Sequence, residues 1–471
     1  MDTANCKQNL RETHLQIMRA IGNAAKNTNV QCYAVGGLVR DCLTNRISDD
    51  LDVICTDITP VITELTTQGI GKNITSQKGI TKKHFRSNIL LFPQFNNEKV
   101  DFIEPRKEIY QPDSIKPIVE KGTLEDDVYR RDFTVNTLRL GLTKDDWLQV
   151  YDPTGIGLND LEQQILRTPR DPEITFQEDS SRMLRAVRFA RCHQLEMVPE
   201  LQSAIQTLAS DINRVPSELI HKELMKGAKC PKYYRTMHHV NLLDELFPEV
   251  TALQDIMQHK DYHTTDALEH TLRYVEYLPH DAVFRTAGLL HDIGKATTTD
   301  KDGHAYKHAK VGAEQIVNIG KRLRFAGDEI ARIKKLVKNH MLLHQMDINQ
   351  ISEKGIRRFI QKHHDIYPEL QIMSRADIRA DSPTPEKYLR ELDQKIVRID
   401  QTYEKMRKLL QQQFKLAIDG HVIMEYGWKG PKIGEIKRDL KAQVIDGNLE
   451  NDPDTLRNYL TSKYGVASSS S

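Results

Sequence analysis

Two short stretches near the beginning of the chain carry most of the architectural information: YAVGGLVRD at residues 33–41 and DLDVIC at residues 50–55. The first is typical of a strand that passes through two glycines into a helix. Because Gly36 and Gly37 have no Cβ, the backbone there can approach a polyphosphate, and the helix behind them offers free N–H groups. The order of strand, glycine pair and helix, followed by an apolar strand, predicts an α/β head with a phosphate-binding turn.

Paired carboxylates occur in the second of these strands. Alternation along residues 50–55 places Asp50 and Asp52 on one face, with apolar side chains on the other. Two adjacent carboxylates repel each other unless a cation neutralises them, and Mg²⁺ ions on a nucleoside triphosphate would do so. Asp101 stands in a similar strand pattern at residues 99–103 and is a candidate third catalytic carboxylate. A turn and a solvated strand face would explain either motif alone, but the ordered set is much more specific.

The sequence DVYRRDFTVN at residues 127–136 narrows the interpretation. Its arginines suit triphosphate oxygens, and its second aspartate can accept a hydrogen bond from a ribose hydroxyl. With the glycine turn and the carboxylates, this stretch resembles the signature of class II CCA-adding tRNA nucleotidyltransferases and bacterial poly(A) polymerases, which are related to polymerase β. The resemblance implies these nucleotide-binding residues in the head: Gly36, Gly37, Arg40, Arg130, Arg131, Asp132 and Asn136.

A second cluster, EDSSR at residues 178–182, is predicted to open a helix. Asp179 and Arg182 are three residues apart and would share one helix face, which Arg185 and Arg188 extend as further nucleotide-binding candidates. A surface ion pair would explain this spacing by itself. In the family that the head resembles, however, this motif serves as an amino-acid template for the incoming nucleotide. An aspartate can accept from the exocyclic amine of C or A while an arginine donates to a ring acceptor, so the pair would reject G and U.

A histidine–aspartate pattern follows in the second half of the chain. LLHDIGK at residues 289–295 ends an apolar segment and resembles the HD phosphohydrolase superfamily. Histidine and carboxylate ligands suit a divalent metal, such as Mg, Mn, Ni, Co or Fe, that acts on phosphate esters. The predicted metal ligands are His270, His291, Asp292, His308, His340 and Asp377. His344 is expected to be a bystander, and Ala309 replaces the glutamate of a related segment in that superfamily.

Composition excludes some classes of function. Lys plus Arg totals 67 and Asp plus Glu totals 66, so the net charge is +1 and bulk-charge binding of polyanions is excluded, although a local basic patch is not. Basic clusters at residues 321–324 and 332–338 are candidate contacts for RNA phosphates. No apolar run is long enough to span a membrane, and the start does not resemble a signal peptide. Six scattered cysteines without a CxxC motif fit a reducing cytoplasm, so we expect a cytoplasmic protein.

The order of these patterns predicts an α/β head followed by helices. The resemblance implies a polymerase-β-like nucleotidyltransferase sheet with flanking helices in the head, and all-α neck, HD and tail domains after it. Residues 1–30 are expected to form one helix. The resemblance also implies that movement of a loop near residues 72–88 decides where the addition of two C nucleotides to tRNA stops. The expected strands are 32–35, 51–55, 88–92 and 99–103. The predicted domains are a head at 1–160, an RNA- and nucleotide-binding neck at 161–250, an HD domain at 251–400 and a tRNA-binding tail at 401–471.

The resemblance implies template-independent addition of CCA to the 3′ end of tRNA from CTP and ATP, with Mg²⁺ at the head and a divalent metal at the HD site. The tRNA 3′ hydroxyl would attack the α-phosphate, and pyrophosphate would leave. A poly(A) polymerase, or an enzyme that adds only A or only CC, would carry the same motifs. An HD phosphohydrolase with a tRNA-binding head, or a non-catalytic RNA-binding protein, would be alternatives of other classes. Neither a membrane nor an obligate protein partner is expected.

Overall fold

The computed structural model describes residues 3–75, 87–110, 117–256, 265–300, 303–347, 349–381, 384–411 and 415–465. Most of the loop near residues 72–88 lies outside the described residues. The chain divides into two compact units, the first formed by residues 1–248 with 322–324 and the second by residues 249–321 with 325–471. The four domain bounds given above stay a prediction.

The first unit is built on a mixed sheet. Its described strands are β1 (Cys32–Val35), β2 (Leu51–Cys55), β3 (Lys72–Asn73), β4 (Ser87–Phe92), β5 (Glu98–Ile103), β6 (Arg106–Ile109), β7 (Ile118–Lys121), β8 (Arg139–Gly141), β9 (Val150–Tyr151), β10 (Ile165–Leu166) and β11 (Glu196–Met197). Seven of them form one sheet in the order β3-β4-β5-β2-β1-β8-β9, in which β2 and β5 run parallel and the other neighbours antiparallel. The pairs β6–β7 and β10–β11 form two small separate sheets.

Helices surround this sheet and continue beyond it in the first unit. Its described α-helices are α1 (Thr3–Gln8), α2 (Glu12–Thr28), α3 (Gly37–Leu43), α4 (Ile58–Thr67), α5 (Leu124–Tyr129), α6 (Gly157–Glu162), α7 (Pro172–Glu178), α8 (Ser181–Cys192), α9 (Pro199–Leu208), α10 (Ser217–Gly227), α11 (Tyr233–His239) and α12 (Leu242–Leu246). Along α2 the buried side chains of Leu15, Met18 and Ile21 recur at helical spacing, which explains why this segment packs as an amphipathic helix. A left-handed residue, Asn29, caps its carboxyl end.

The described part of the second unit is helical apart from an isolated bridge between Thr299 and Ala305. Its helices are α13 (Pro248–Thr251), which begins at the boundary, α14 (Ala267–Glu276), α15 (Ala282–Leu289), α16 (Lys295–Thr298), α17 (His308–Arg322), α18 (Gly327–Asn339), α19 (Leu342–Gln345), α20 (Glu353–His363), α21 (Tyr367–Asp381), α22 (Pro385–Gln411), α23 (Gly420–Glu425), α24 (Pro431–Ile445) and α25 (Pro453–Tyr464). Helix α14 packs against α15 and α21, and α15 packs against α18. A separate apolar cluster that includes Ile423, Leu440 and Leu456 holds the last helices together.

The predicted fold class is confirmed, and so are the four expected strands to within one residue. Three local predictions were wrong. Residues 1–30 form two helices, α1 and α2, rather than one. Asp50 lies just before β2 instead of inside it, and Asp179 lies between α7 and α8 instead of within a helix. In the described residues, no helix is both long and apolar enough to cross a membrane.

The six cysteines, expected to be scattered thiols, are all paired. The disulfides are Cys6–Cys42, Cys32–Cys55 and Cys192–Cys230. The paired cysteines are 36, 23 and 38 residues apart in sequence, so no local sequence motif indicates which cysteines pair. Their proximity is produced by tertiary contacts, such as the register that places Cys32 of β1 opposite Cys55 of β2. The inference of a reducing compartment from cysteine spacing therefore has no structural support.

Candidate active site and candidate metal centre

The predicted catalytic carboxylates meet on neighbouring strands. Asp52 of β2 and Asp101 of β5 are register partners in the parallel pair, so their side chains leave the same face of the sheet. Asp50 is exposed and lies one residue before β2 begins. Carboxylate oxygens that converge from adjacent strands are the ligand type that Mg²⁺ prefers. Asp52 and Asp101 thus supply ligands of the type that a magnesium site needs, and the part of Asp50 in such a site stays a prediction.

The glycine turn lies beside these carboxylates. Val35, the last residue of β1, is the register partner of Asp52, and the chain then enters α3 through Gly36. Gly36 has φ +77°, a left-handed conformation that favours glycine. A Cβ at this position would lie 3.6 Å from Oδ2 of Asp52 and 3.8 Å from Nη1 of Arg131. The turn, one catalytic carboxylate and one predicted triphosphate-binding arginine therefore share one location.

Arg40 and Arg185 are linked through buried polar groups. Arg40 donates from Nη1 to Oδ1 of Asn136 over 2.8 Å, and Asn136 donates from Nδ2 to Oδ1 of Asp132 over 2.8 Å. The other oxygen of Asp132 accepts from Nε and Nη2 of Arg185 at 2.9 and 2.5 Å. Burial alone would raise the pKa of Asp132, but the Arg185 guanidinium and the Asn136 amide hold it well below its usual range. Four predicted nucleotide-binding residues thus form one hydrogen-bonded chain.

Asp127 organises the two arginines of the RRD sequence, and sequence reasoning did not single it out. Its fully buried carboxylate accepts from Nη2 of Arg130 and, at 2.8 Å, from Nε of Arg131. Burial acts to raise the pKa of Asp127, yet the two guanidinium groups lower it to about 2. Arg131 also donates to the backbone carbonyl of Asn136. An acidic residue on α5, three and four positions before the two arginines that follow this helix, is the only sequence signal for this role.

The two residues of the predicted base-reading pair, Asp179 and Arg182, differ in exposure to solvent. Arg182 is buried and donates to the carbonyl oxygens of Arg130, at 2.6 Å, and Thr175, at 3.3 Å. Its Nε lies 3.8 Å from Oδ2 of Asp179. The other oxygen of Asp179 accepts from the backbone N–H and the hydroxyl of Ser181, at 3.0 and 2.6 Å, which fixes the carboxylate at the start of α8. The pair is therefore held in place, with Asp179 the more exposed partner.

These two residues line a cavity of about 870 Å³ in the first unit. Its other walls come from the β6–β7 hairpin and from the turn before α10. Glu108 lies in this wall, where Arg106 donates to it over 2.7 Å and the hydroxyl of Tyr110 over 2.9 Å. Arg130 completes the lining, with Nη1 3.7 Å from the same carboxylate. The cavity is within the size range of small-ligand sites and carries both a donor and an acceptor for a base.

Arg188 does not face the cavity in this arrangement. Its Nε donates over 2.7 Å to Glu223, a buried residue of α10 that sequence reasoning missed. Arg185 also approaches Glu223, at 3.8 Å, in addition to its bonds with Asp132. Both arginines are thus neutralised by acids within the first unit, and only movement of those acids would release them for a triphosphate.

In the second unit, histidines from four helical segments converge on the predicted metal centre. Three of them bond a backbone carbonyl through Nδ1: His291 with Gly288 at 2.7 Å, His308 with Ala305 at 2.8 Å and His340 with Val337 at 2.8 Å. This fixes the rings and leaves each Nε2 atom for another partner, as is usual for metal-binding histidines. Burial, the main cause, lowers the pKa of His340 to about 4, so its ring is neutral near pH 7 as a ligand must be.

Asp292 occupies the middle of this cluster. Its Oδ2 lies 3.1 Å from Nε2 of His291 and 3.8 Å from that of His270, while its Oδ1 lies 3.2 Å from His308 and 3.6 Å from His340. Two sets of three possible ligands share it: His270, His291, Asp292 and Asp292, His308, His340. Both oxygens of Asp292 are buried, and Oδ2 also lies 2.5 Å from Nζ of Lys295. Such a donor set fits a divalent metal.

Asp377 approaches the same cluster from α21. Its Oδ1 lies 3.2 Å from Nε2 of His270 and 4.0 Å from that of His291. Its Oδ2 lies 3.3 Å from Nε2 of His344, which the sequence analysis had set aside as a bystander. Helix α19 thus brings His344 against a predicted ligand, but His344 belongs to neither set of possible metal ligands, so its bystander role stays a prediction. Gly294 permits another close approach, since a Cβ there would lie 2.1 Å from the carbonyl oxygen of His308.

Comparisons with known proteins match the segments of the chain that contain the two candidate sites. Three family models match: the poly A polymerase head domain at residues 32–167, the probable RNA and SrmB-binding site of polymerase A at 194–254, and the HD domain at 261–380. The chain is 31% identical over 275 residues to an A-adding tRNA nucleotidyltransferase of Deinococcus radiodurans, covering 55% of this chain and 60% of that protein. It is 28% identical over 334 residues to a multifunctional CCA protein of Acinetobacter baumannii, covering 67% and 76%.

The fold resembles that of solved CCA-adding enzymes. The Thermotoga maritima CCA-adding enzyme, complexed with tRNA, superposes with a TM-score of 0.58 at 18% identity, covering 98% of both chains. This likeness shows the fold, while the three matched models show the same order of head, RNA-binding region and HD domain that the motifs predicted. The chain thus carries, in this order, a poly A polymerase head domain, a region similar to the RNA-binding site of polymerase A and an HD domain, as expected for the HD-containing form of the family that its motifs resemble.

Proposed function

We propose that this protein adds CCA to the 3′ end of tRNA, using CTP and ATP and no nucleic-acid template. The observation that carries the proposal is the convergence of Asp52, Asp101 and Gly36 at one end of the sheet, in the same unit as the Asp179–Arg182 cavity. A phosphate-binding turn beside paired carboxylates suits nucleotidyl transfer. A fixed acceptor and donor suit selection of C and A.

Each group has a defined task in this reaction. Asp50, Asp52 and Asp101 would hold Mg²⁺, which neutralises the triphosphate and favours ionisation of the attacking hydroxyl. The backbone at Gly36 and Gly37 binds phosphate oxygens, together with the arginines of the RRD sequence. Positioning of the hydroxyl in line with the α-phosphate supplies much of the rate, and pyrophosphate leaves.

The nucleotide-selecting residues complete the proposal. Oδ2 of Asp179 accepts from the exocyclic amine of C or A, and Arg182 donates to a ring acceptor. The bonds to the carbonyls of Arg130 and Thr175 use two of the five N–H donors of Arg182, so further donors are left for the base. The remaining predicted residues, Arg40, Asp132, Asn136, Arg185 and Arg188, form the buried chain and acid pairs that fix the cavity walls.

The test is incorporation of labelled CTP and ATP, with Mg²⁺, into tRNAs that end at the discriminator base, at C or at CC. Addition of C, C and A followed by a stop is expected. Addition of A alone to tRNA ending in CC would assign the activity of the Deinococcus relative instead. Unlimited A tails on any RNA would assign a poly(A) polymerase, and no incorporation would refute nucleotidyl transfer.

A second activity is favoured by the cluster around Asp292. We propose that this site binds a divalent metal ion, of a kind that the ligand types leave open among Mg, Mn, Ni, Co and Fe, and hydrolyses phosphate esters. The buried ring nitrogens and carboxylates support metal binding more directly than they support turnover. Phosphatase assays on the metal-loaded protein, with an Asp292→Ala variant as the control, test the hydrolytic part. We further propose a cytoplasmic location, where tRNA and nucleotides are found.

A further inference from the structure

The position of Asp50 depends on backbone that lies just outside the sheet, whereas Asp101 lies within β5. The ladder between β2 and β5 pairs Leu51 with Val100 and Asp52 with Asp101. By the same parallel register, one step back brings Asp50 beside Lys99 and two steps bring Asp49 beside Glu98. Strand β2, however, begins at Leu51, so the backbone ladder has ended before it reaches either aspartate. Some other contact must hold this segment against β5.

Arg11, the residue that precedes α2, makes that contact. Its Nη2 donates over 2.8 Å to the backbone carbonyl oxygen of Asp49 and also pairs with Oε1 of Glu98. A single guanidinium therefore connects the segment before β2 to the first residue of β5, at the level where the sheet stops doing so. Asp50 therefore lies between two residues whose backbone is held: Leu51 by the β2–β5 ladder, and Asp49 by the hydrogen bond from Arg11 to its carbonyl oxygen.

His14, one turn along α2, supports the arrangement from the buried side. Its ring is fully buried, and Nε2 lies 3.3 Å from Oε1 of Glu98 and contacts Nη2 of Arg11. The side chain of Glu98 is about one-fifth exposed and that of Arg11 about one-third, so the cluster is shielded on one side and open on the other. Helix α2 is in turn held by its buried apolar face, so His14 and the adjacent Arg11 are attached to a well-packed helix.

We propose that Arg11 is a positioning residue for nucleotidyl transfer: it fixes the main chain at Asp49 against β5 and thereby sets the separation of Asp50 from Asp52 and Asp101. Arg11 touches none of the reacting atoms in this role. The inference rests on the proposed function, since it concerns the geometry of the metal-binding carboxylates. Displacement of a ligand by about 1 Å is enough to change a rate by one to two orders of magnitude.

The test compares Arg11→Ala, Arg11→Lys and Lys26→Ala with the unmodified protein in the tRNA incorporation assay. Arg11→Ala is expected to lower kcat about tenfold and to raise the Mg²⁺ concentration that gives half-maximal rate, with little change in the KM for CTP or tRNA. Because Nη2 alone makes the contacts, one ammonium group can replace most of them, so Arg11→Lys should recover much of the rate. Lys26 is exposed near the other end of α2 and should have no effect.

The outcomes separate the inference from the function on which it rests. No incorporation by the unmodified protein would refute the proposed function. Unmodified rates and Mg²⁺ dependence in Arg11→Ala, with active unmodified protein, would refute the positioning role alone. Equal losses in Arg11→Ala and Arg11→Lys, accompanied by a lower melting temperature in both, would also refute it, since a general loss of stability would then explain the rates. A shift in Mg²⁺ dependence at an unchanged melting temperature would support it.

Discussion

Asp52 and Asp101 are register partners on the parallel strands β2 and β5, although 49 positions separate them in the sequence. Parallel neighbours in register place their side chains on the same face of a sheet, so the two carboxylates converge without help from any loop. The pair is consequently fixed by the central part of the sheet, whereas Asp50, outside the strand, depends on its flanking residues. This difference leads to distinct expectations for the three aspartates.

Replacement of Asp52 by Asn should reduce nucleotide incorporation by about 10³-fold, because loss of one ligand charge removes several kcal/mol of transition-state stabilisation. Asp101→Asn should cause a loss of similar kind, and higher Mg²⁺ should recover part of the activity in either variant. Single-turnover incorporation into tRNA measures the effect. Asp145→Asn, an exposed position in the same unit, is the matched control. Activity near normal in Asp52→Asn would contradict the assignment.

Asp179→Ala should reduce discrimination between correct and incorrect nucleotides rather than abolish transfer. The loss of one good acceptor for the exocyclic amine corresponds to about 1–3 kcal/mol, or about 5- to 150-fold in relative kcat/KM for CTP against UTP. Competition assays with paired nucleotides measure this ratio. Ser181→Ala, which removes only the hydroxyl bonded to Asp179, should give a smaller loss in the same direction. An unchanged ratio in Asp179→Ala would remove this residue from nucleotide selection.

The buried carboxylate of Asp127 predicts a particular pH dependence of stability. Its folded pKa, about 2, lies below the ordinary value of 3.8. A depressed pKa means that its contribution is complete above about pH 4 to 5 and disappears as the pH falls towards 2, a total of about 2 kcal/mol. Urea unfolding at pH 7 and pH 3 should therefore show a smaller pH-dependent difference in Asp127→Asn than in the unmodified protein. If the free energy of unfolding changed equally between the two pH values in both proteins, groups other than Asp127 would cause the loss of stability in acid.

The sequence predicted the elements that its local patterns encode. Strand β1, the glycine turn and β2 are encoded by apolar runs interrupted by glycine, and the ligands of the HD cluster by their residue types. Glu223 could not be identified in the same way, because its partnership with Arg188 depends on how α8 packs against α10. The helix prediction at Asp179 failed because this extended residue ends α7 and its side chain accepts from the backbone N–H of Ser181, a local bond that periodicity does not reveal.

The cysteine pairs give a prediction about covalent state. Protein purified without reductant and then denatured should expose no thiols to maleimide, and six after reduction. Among the three disulfides, Cys192–Cys230 joins α8 to the segment after α10, and closure of 38 residues in the unfolded chain corresponds to about 4 kcal/mol in the chain-entropy model. The double variant Cys192→Ser, Cys230→Ser should unfold at a lower urea concentration than the unmodified oxidised protein, and the two proteins should unfold at similar urea concentrations once all disulfides have been reduced. Six reactive thiols without reductant would refute the pairing.

Asp292 lies between the two sets of possible metal ligands, so its removal should have a larger effect than removal of any one histidine. Asp292→Ala is expected to abolish metal retention in the second unit, while His308→Ala should lower affinity about 10- to 100-fold and leave the ligands on the other side of Asp292 in place. Metal content after dialysis against trace Mn²⁺ or Ni²⁺ measures both. His280→Ala, an exposed histidine, is the control. Nucleotide incorporation should continue in all three variants, because the predicted carboxylates of the first unit are intact. Retention of metal by Asp292→Ala would show that the cluster is not the binding site.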